Sequence, residues 1–430
     1  MIAAIILVVL FTALAVGAPV GFAMMIAGAA GLYARGGTAL VLGVLSTTPL
    51  SATSSYELIT IPMFLLMAEM VLLSGVADDL FAAAAAWIGR VPGGLAMATA
   101  IAGAGFGAIC GSSTASAATL SSTSLPAMMR QGYERRMAAG VVAISGTLAM
   151  LLPTSIALVI FGLLADVSIS KLLVSGIVPA IIVTAAIILT ILLLIWRDPG
   201  CAPPITRTPW RQKLRLLWSV APMVLLFALV TGAIYTGIAT PTETSAVGAL
   251  GAFVLALLRG RTQPGPMLRA FRHAAYGSCM IAMILLGASI FSYAFTLTQI
   301  TQNLVAWVGA LPLPPVVIVG IILCGYIVLG SFMDQMAILV LTVPVVLPLI
   351  RTLGYDPVWF GVIKIVTAEV GLITPPIGLN CFIVARYAKQ PVSEIFHGAF
   401  PHFLAHIVVI VLLVAFPSLI LWLPNHMGAR

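Results

Sequence analysis

One hexapeptide is written twice in this chain, and the two copies set the frame for everything between them. Trp87-Ile88-Gly89-Arg90-Val91-Pro92 returns as Trp307-Val308-Gly309-Ala310-Leu311-Pro312. Downstream, Leu125-Pro126 and Gly132-Tyr133-Glu134 return as Leu347-Pro348 and Gly354-Tyr355-Asp356. Pro153, Gly176 and Pro179 return as Pro375, Gly398 and Pro401, and upstream Pro19 returns as Pro241. The spacing is 222 residues at these points and 220 at the Trp motif. A single matched glycine or proline carries little weight, but a run in one register marks a duplicated unit of roughly half the chain. Such internal repeats are typical of secondary transporters.

Composition decides which solvent the two units face. Charged residues make up 7% of the 430 and hydrophobic residues 61%, against about 25% charged in a soluble domain. At about 20 apolar residues per span, the chain has room for on the order of a dozen membrane-embedded segments. In lipid these are helices, because every backbone group needs an internal partner. No hydrophilic stretch is long enough for a separate soluble domain, so the fold class is an all-α integral membrane protein. The net charge of +8 follows basic loops on the cytoplasmic side; nucleic acid is not an expected partner. Five cysteines, at 110, 201, 279, 324 and 381, are scattered and read as packing residues. The apolar residues 1–16 lack the positive start of a signal peptide and read as a first membrane segment, with cleavage as the alternative.

The plan is a first repeat over 1–195, a basic connector over 196–217, and a second repeat over 218–430. Arg197, Arg207, Arg211, Lys213 and Arg215 mark the connector. This connector and the basic segment 259–272 are expected on the cytoplasmic side, so the helices between them cross and return. If the repeats are inverted, Arg130, Arg135 and Arg136 are cytoplasmic and both termini periplasmic. Within each repeat, two regions depart from a plain span. Residues 93–129 and 315–350 read as re-entrant helical hairpins with tips at Ser112-Ser113-Thr114-Ala115-Ser116 and Gly330-Ser331-Phe332-Met333-Asp334-Gln335. Residues 137–164 and 358–388 read as spans broken at Leu152-Pro153-Thr154-Ser155 and at Thr374-Pro375-Pro376-Ile377-Gly378-Leu379-Asn380.

Each interruption frees backbone groups that lipid tolerates only where they are buried in protein or line a cavity. Four such points can meet near the bilayer midplane. There, helix N-termini favour an anion, while loose carbonyls and hydroxyls favour Na+. Ser112, Ser113, Thr114 and Ser116 serve either as ligands or as small packing residues bonded back to their own helix; an acid at the equivalent second tip favours ligands. Asp334 is that acid, an ion or hairpin-support residue if not a helix N-cap. Glu69 is an embedded acid, either functional or in contact with a neighbouring helix. Glu369 is another, and Lys364 stands five residues before it, off the favourable spacing of three or four. Thr240-Pro241-Thr242-Glu243 reads as a capping box, favoured over ion binding at Glu243, and Asp166 as a cap at the membrane edge. His402 and His406 share a helix face without an adjacent carboxylate or cysteine. No catalytic constellation and no phosphate-binding Gly-Lys-Ser/Thr loop occurs, so neither an enzyme nor an organic cofactor is expected.

Taken together, Ser55-Tyr56-Glu57-Leu58 with Ile61-Pro62-Met63-Phe64, the Gly111–Ser116 tip, Leu152-Pro153-Thr154-Ser155-Ile156, Thr240–Glu243, Gly330–Asp334 and Thr374–Gly378 resemble the large, DctM-type membrane subunit of tripartite ATP-independent periplasmic (TRAP) transporters. The resemblance covers essentially the whole chain. Thr154 departs from it, standing where many relatives have proline. The resemblance implies an elevator in the bacterial inner membrane, a transport domain with both hairpins sliding against a scaffold. It implies uptake of a carboxylate, such as a C4-dicarboxylate or a sialic acid, with Na+ as coupling ion. The implied partners are a small four-helix DctQ-type subunit and a periplasmic DctP-type binding protein. Substrate contacts would fall among Ser112, Ser113, Thr114, Ser116, Thr154, Ser155 and Asn380. Na+ ligands would fall among Ser112, Ser116, Pro153, Ser155, Ser331, Asp334, Thr374, Pro375 and Gly378. The alternative is a stand-alone ion-coupled anion symporter or exporter of the same fold.

The orientation is testable. In a chain cleared of native cysteines, Ile238→Cys should react with a membrane-impermeant thiol reagent added outside spheroplasts, and Thr208→Cys should react only after lysis. The reverse pattern would overturn the assignment.

Overall fold

Proline and glycine punctuate the chain, and the helices run between them. The computed structural model describes residues 2–203 and 208–427, all helix and connecting turn. Residue 1 of the first expected segment, Arg207 of the connector and the C-terminal residues 428–430 lie outside the described residues.

α1 (Ile2–Ala15) stops before Gly17-Ala18-Pro19, and α2 (Val20–Thr53) continues through a kink at Gly36 and Gly37. The Ser/Thr-rich stretch 38–56 is therefore largely the second arm of a kinked helix. α3 (Thr60–Ser74) and α4 (Val76–Ile88) share Gly75, whose φ of 73° suits glycine. α5 (Gly94–Cys110) and α6 (Ser113–Arg130) meet at Gly111-Ser112. α7 (Arg135–Thr147) tightens into a 3-10 turn, Leu148–Met150, before α8 (Ile156–Ala165). α9 (Ile169–Ser175) and α10 (Ile177–Arg197) are separated only by Gly176, whose backbone is right-handed helical, and together they form one candidate span over the apolar run 171–195.

The second half follows with α11 (Trp210–Thr236), α12 (Pro241–Leu258), α13 (Pro264–Leu297), α14 (Ile300–Gly309), α15 (Pro315–Phe332) and α16 (Gln335–Thr352). α17 (Pro357–Gly371), α18 (Leu379–Ala388), α19 (Val392–Ala415) and α20 (Ser418–Asn425) complete it. Three boundaries differ from the sequence reading. The connector is helical from Trp210, because its basic residues extend α11 past the apolar stretch: Trp210 meets Trp87 edge-on at 5.4 Å and Lys213 lies over the Trp87 ring at 5.5 Å. α13 reaches back to Pro264, a residue suited to a first helical turn. The apolar run 400–423 predicts the last span, but its helix begins at Val392, and a Pro417 break detaches α20. Among the described residues, nine helices are long and apolar enough to cross a membrane.

Helix boundaries keep the spacing of the repeated motifs. α6 and α16 start 222 residues apart and end 222 apart, and α7 and α17 start 222 apart. Packing then crosses between the halves: α2 lies on α13 and α3 on α12, while α6 lies on α18 and α8 on α16. Polar contacts mark the ends of these helices. Thr60 and Thr242 share a buried hydrogen bond of 2.9 Å. Arg259 joins Asp79 at 2.5 Å and the Ser219 carbonyl at 2.6 Å. Arg136, at the start of α7, pairs with Glu394 at the start of α19. Arg351, at the end of α16, donates to the Ala165 carbonyl at the end of α8, at 2.7 Å.

α7 and α19 cross closely. A Cβ on Gly140 would overlap the Gly398 backbone, and one on Gly398 the Arg136 carbonyl. Small residues let membrane helices approach this way. Gly140→Val should lower stability by about 1–3 kcal/mol through overpacking, whereas Gly43→Ala, which faces open space, should change it little. Thermal unfolding in detergent measures both; equal effects would refute the close crossing.

Candidate functional site

The first tip is built against the first break. Gly111 has a φ of 60°, and any side chain there would strike the Thr154 carbonyl. Ser112 caps α6, its hydroxyl accepting from Ala115 N at 3.4 Å and lying 3.3 Å from Thr114 Oγ1. Thr154 donates to the Ala108 carbonyl at 3.0 Å, and Ser155 caps α8 by accepting from Leu158 N at 3.2 Å. Pro153 and its neighbours are buried.

At the second pair of interruptions the backbone does the joining. The Ser331 carbonyl accepts from Ile377 N and Gly378 N, each at 3.2 Å. Gly330 rests against the Ala368–Gly371 backbone. Ser331 and Thr374 donate to the Val328 and Val370 carbonyls, both at 2.7 Å, so these hydroxyl hydrogens are spent within their own helices. Asp334 is the N-cap of α16, accepting from Met336 N at 3.0 Å. Residues Pro375, Pro376 and Ile377 are exposed, unlike residues 151–155 at the first break.

One hydrogen-bonded chain links the two halves. Asn380 Nδ2 donates to Ser113 Oγ at 2.8 Å, and Ser113 donates to Glu369 Oε2 at 3.0 Å. Asn380 Nδ2 also reaches the Ala143 carbonyl at 3.4 Å. All three side chains are buried. Ser116, three residues beyond Ser113 and so on a neighbouring position of the same helix surface, is buried with its hydroxyl unpartnered. The bond to Glu369 is the contact that the sequence reading missed. One signal was available: the residue 222 positions earlier is Thr147, so the carboxylate has no counterpart in the first repeat.

The other candidates have structural partners. Thr240 and Glu243 form a capping box, the carboxylate accepting from Thr240 N at 2.8 Å. Glu69 Oε2 lies 3.8 Å from His273 Nδ1 on α13, a contact between neighbouring helices. Asp166 ends α8 as its C-cap, with a φ of 52°. Lys364 is buried over the Tyr326 ring at 5.4 Å and forms no ion pair with Glu369. His406 Nδ1 lies 3.0 Å from the His402 carbonyl, and no group of three metal-binding side chains occurs among the described residues. A separate cavity of about 730 Å³ is walled by Ser55–Leu58, Gly162–Ser170 and Thr240–Thr242. Two of the stretches that carry the family resemblance thus face this cavity and not the tips.

Compared with known proteins, residues 7–419 match the family described as tripartite ATP-independent periplasmic transporter, DctM component. The chain belongs to this family. It is 32% identical over 378 residues to the C4-dicarboxylate TRAP transporter large permease protein DctM of Pseudomonas aeruginosa, covering 87% of each chain. It is 28% identical over 410 residues to the ectoine/5-hydroxyectoine TRAP transporter large permease protein UehC of Ruegeria pomeroyi, covering 94% of this chain and 95% of that one. The crystal structure of the Alcanivorax borkumensis YdaH transporter shares the fold, with a TM-score of 0.61 and 17% identity over 88% of this chain and 89% of that one. As a DctM-family chain it is a multi-pass membrane permease.

Capping by Asp334 has a measurable consequence. Asp334→Ala should cost about 1 kcal/mol of stability, while Asp334→Asn, which keeps a capping oxygen, should stay near wild type in thermal unfolding. Equal losses would show that the carboxylate does something other than cap α16.

Proposed function

We propose that this chain is the permease subunit of a Na+-coupled secondary transporter that imports a small organic anion by an elevator movement. A soluble periplasmic protein delivers the solute, and a small four-helix membrane subunit enlarges the scaffold. The observation that carries this reading is the joining of helix interruptions from both halves through Asn380, Ser113 and Glu369. Polar, broken backbone deep in an apolar chain is retained where solutes or ions are handled.

Three further observations support it. The helix pairings exchange partners between the halves: α2 on α13 answers α3 on α12, and α6 on α18 answers α8 on α16. That exchange is what an approximate twofold relation between repeats produces. The contacts of Arg136 with Glu394 and of Arg351 with Ala165 fit α7–α8 and α17–α18 running in opposite directions, as inversion requires. Bonds gather α5 to α8 and α15 to α18 into one body, while α2, α3, α12 and α13 pack on one another. This division fits a transport body beside a scaffold.

Four helix N-termini, those of α6, α8, α16 and α18, begin at the interruptions. Their partial positive charges suit an anionic group, with the half-buried hydroxyls of Ser112 and Thr114 as contacts. The relatives' names, a C4-dicarboxylate permease and an ectoine permease, point to a small carboxylate or zwitterion. Hydroxyl and carbonyl oxygens are Na+ ligands by type, and the unpartnered Ser116 hydroxyl fits a place among them. Ser112, Pro153 and Ser155 on one side, and Ser331, Asp334, Thr374, Pro375 and Gly378 on the other, would supply the remainder.

Uptake of labelled organic acids into proteoliposomes holding this chain and its small subunit tests the proposal. Uptake should require an inward Na+ gradient and the binding protein, and K+ should not replace Na+. Asp334→Asn should reduce uptake if that carboxylate holds the ion as well as capping α16. Uptake without the binding protein would favour a stand-alone symporter, and proton-driven uptake indifferent to Na+ would overturn the ion assignment.

A further inference from the structure

We propose that Glu369, Asn380 and Ser116 form a Na+ site of their own, where the first tip meets the second broken span. The inference rests on the Na+-coupled reading above and adds to it a charged ligand that the tips and breaks do not include.

The argument begins with charge. Glu369 is 2% exposed, on a helix that is buried along its whole length. Its Oε2 accepts the Ser113 hydrogen bond, and its Oε1 has no partner. Among the described residues no Lys, Arg or His nitrogen lies within ion-pair distance of it. Lys364, the cation nearest in sequence, is turned to the Tyr326 ring. A carboxylate left alone in an apolar interior costs several kcal/mol, so Glu369 is neutralised there, by a bound cation or by a proton.

The surrounding donors say which. Asn380 uses its amide N–H groups toward Ser113 and Ala143, and its Oδ1 is buried and unpartnered. The Ser116 hydroxyl is buried and unpartnered as well. The three free oxygens sit on α17, α18 and α6, and α6 packs directly on α18. They are hard ligands carrying one negative charge in total, which suits a small monovalent cation and offers nothing to a soft metal. An ion held there would neutralise Glu369 and tie the first tip to the second break, so that the position of the tip depends on the ion.

The test uses the full chain in lipid nanodiscs, with thermal unfolding followed against NaCl at constant ionic strength, choline replacing Na+, at two pH values. Wild type should be stabilised saturably by Na+. Glu369→Gln should raise the half-saturating Na+ concentration by about tenfold or more, Asn380→Ala should shift it in the same direction, and Ser122→Ala, exposed on α6, should leave it unchanged. Asn380→Ala keeps the test open if Glu369→Gln fails to fold. If the variants superimpose on a Na+-responsive wild type, this site is wrong while Na+ use at the tips stands. A wild type indifferent to Na+ at both pH values would overturn the site and the Na+-coupled reading together. Stabilisation by acid in place of Na+, abolished by Glu369→Gln, would overturn the Na+ site by assigning a proton to that carboxylate.

Discussion

In a bilayer, every backbone group without a hydrogen-bond partner is costly to expose. This chain interrupts its helices at four places within its apolar body, and most of its architecture answers the cost. Ser112, Ser155 and Asp334 cap the helices that restart. Thr154 satisfies the Ala108 carbonyl from across the first break, and the Ser331 carbonyl takes two amides from the second. The last two solutions bring a tip against a broken span, so there satisfying the backbone and assembling the polar site are one process.

Those interruptions were legible in the sequence because the residues that cause them are few and specific. Proline removes an amide and glycine admits a left-handed turn, and the chain places both at the same spacing twice. The proline breaks follow that pattern at Pro153 and Pro375, whereas the two tips differ: Gly111 turns left-handed and its counterpart Met333 is extended. The capping box at Thr240–Glu243 was equally readable, since its donors and acceptors lie within one turn.

What escaped the sequence was either long-range or a matter of helix ends. Ser113 and Glu369 are 256 residues apart, and Ser113 and Asn380 are 267 apart; no local pattern encodes such a pairing. Read alone, Glu369 was an acid with a mismatched lysine five residues earlier. The two charges instead turn to different neighbours. The helical start inside the connector was hidden for another reason. Charge density marks where a segment leaves the apolar phase but says nothing about whether its helix stops, and here α11 begins at Trp210, well inside the basic stretch.

The glycine contact between α7 and α19 has a mechanical consequence. Two backbones in touch at Gly140 and Gly398 interlock like gear teeth, since displacement along the axis would drive a carbonyl into its neighbour. Packed cores shift between discrete arrangements and do not deform smoothly. A slip plane between α7 and α19 would have to break this contact, so in the proposed elevator movement the two helices would belong to the same body. The sliding surface of such a movement would lie elsewhere, for example where α13 meets α16, and friction along it would set how fast the body could move.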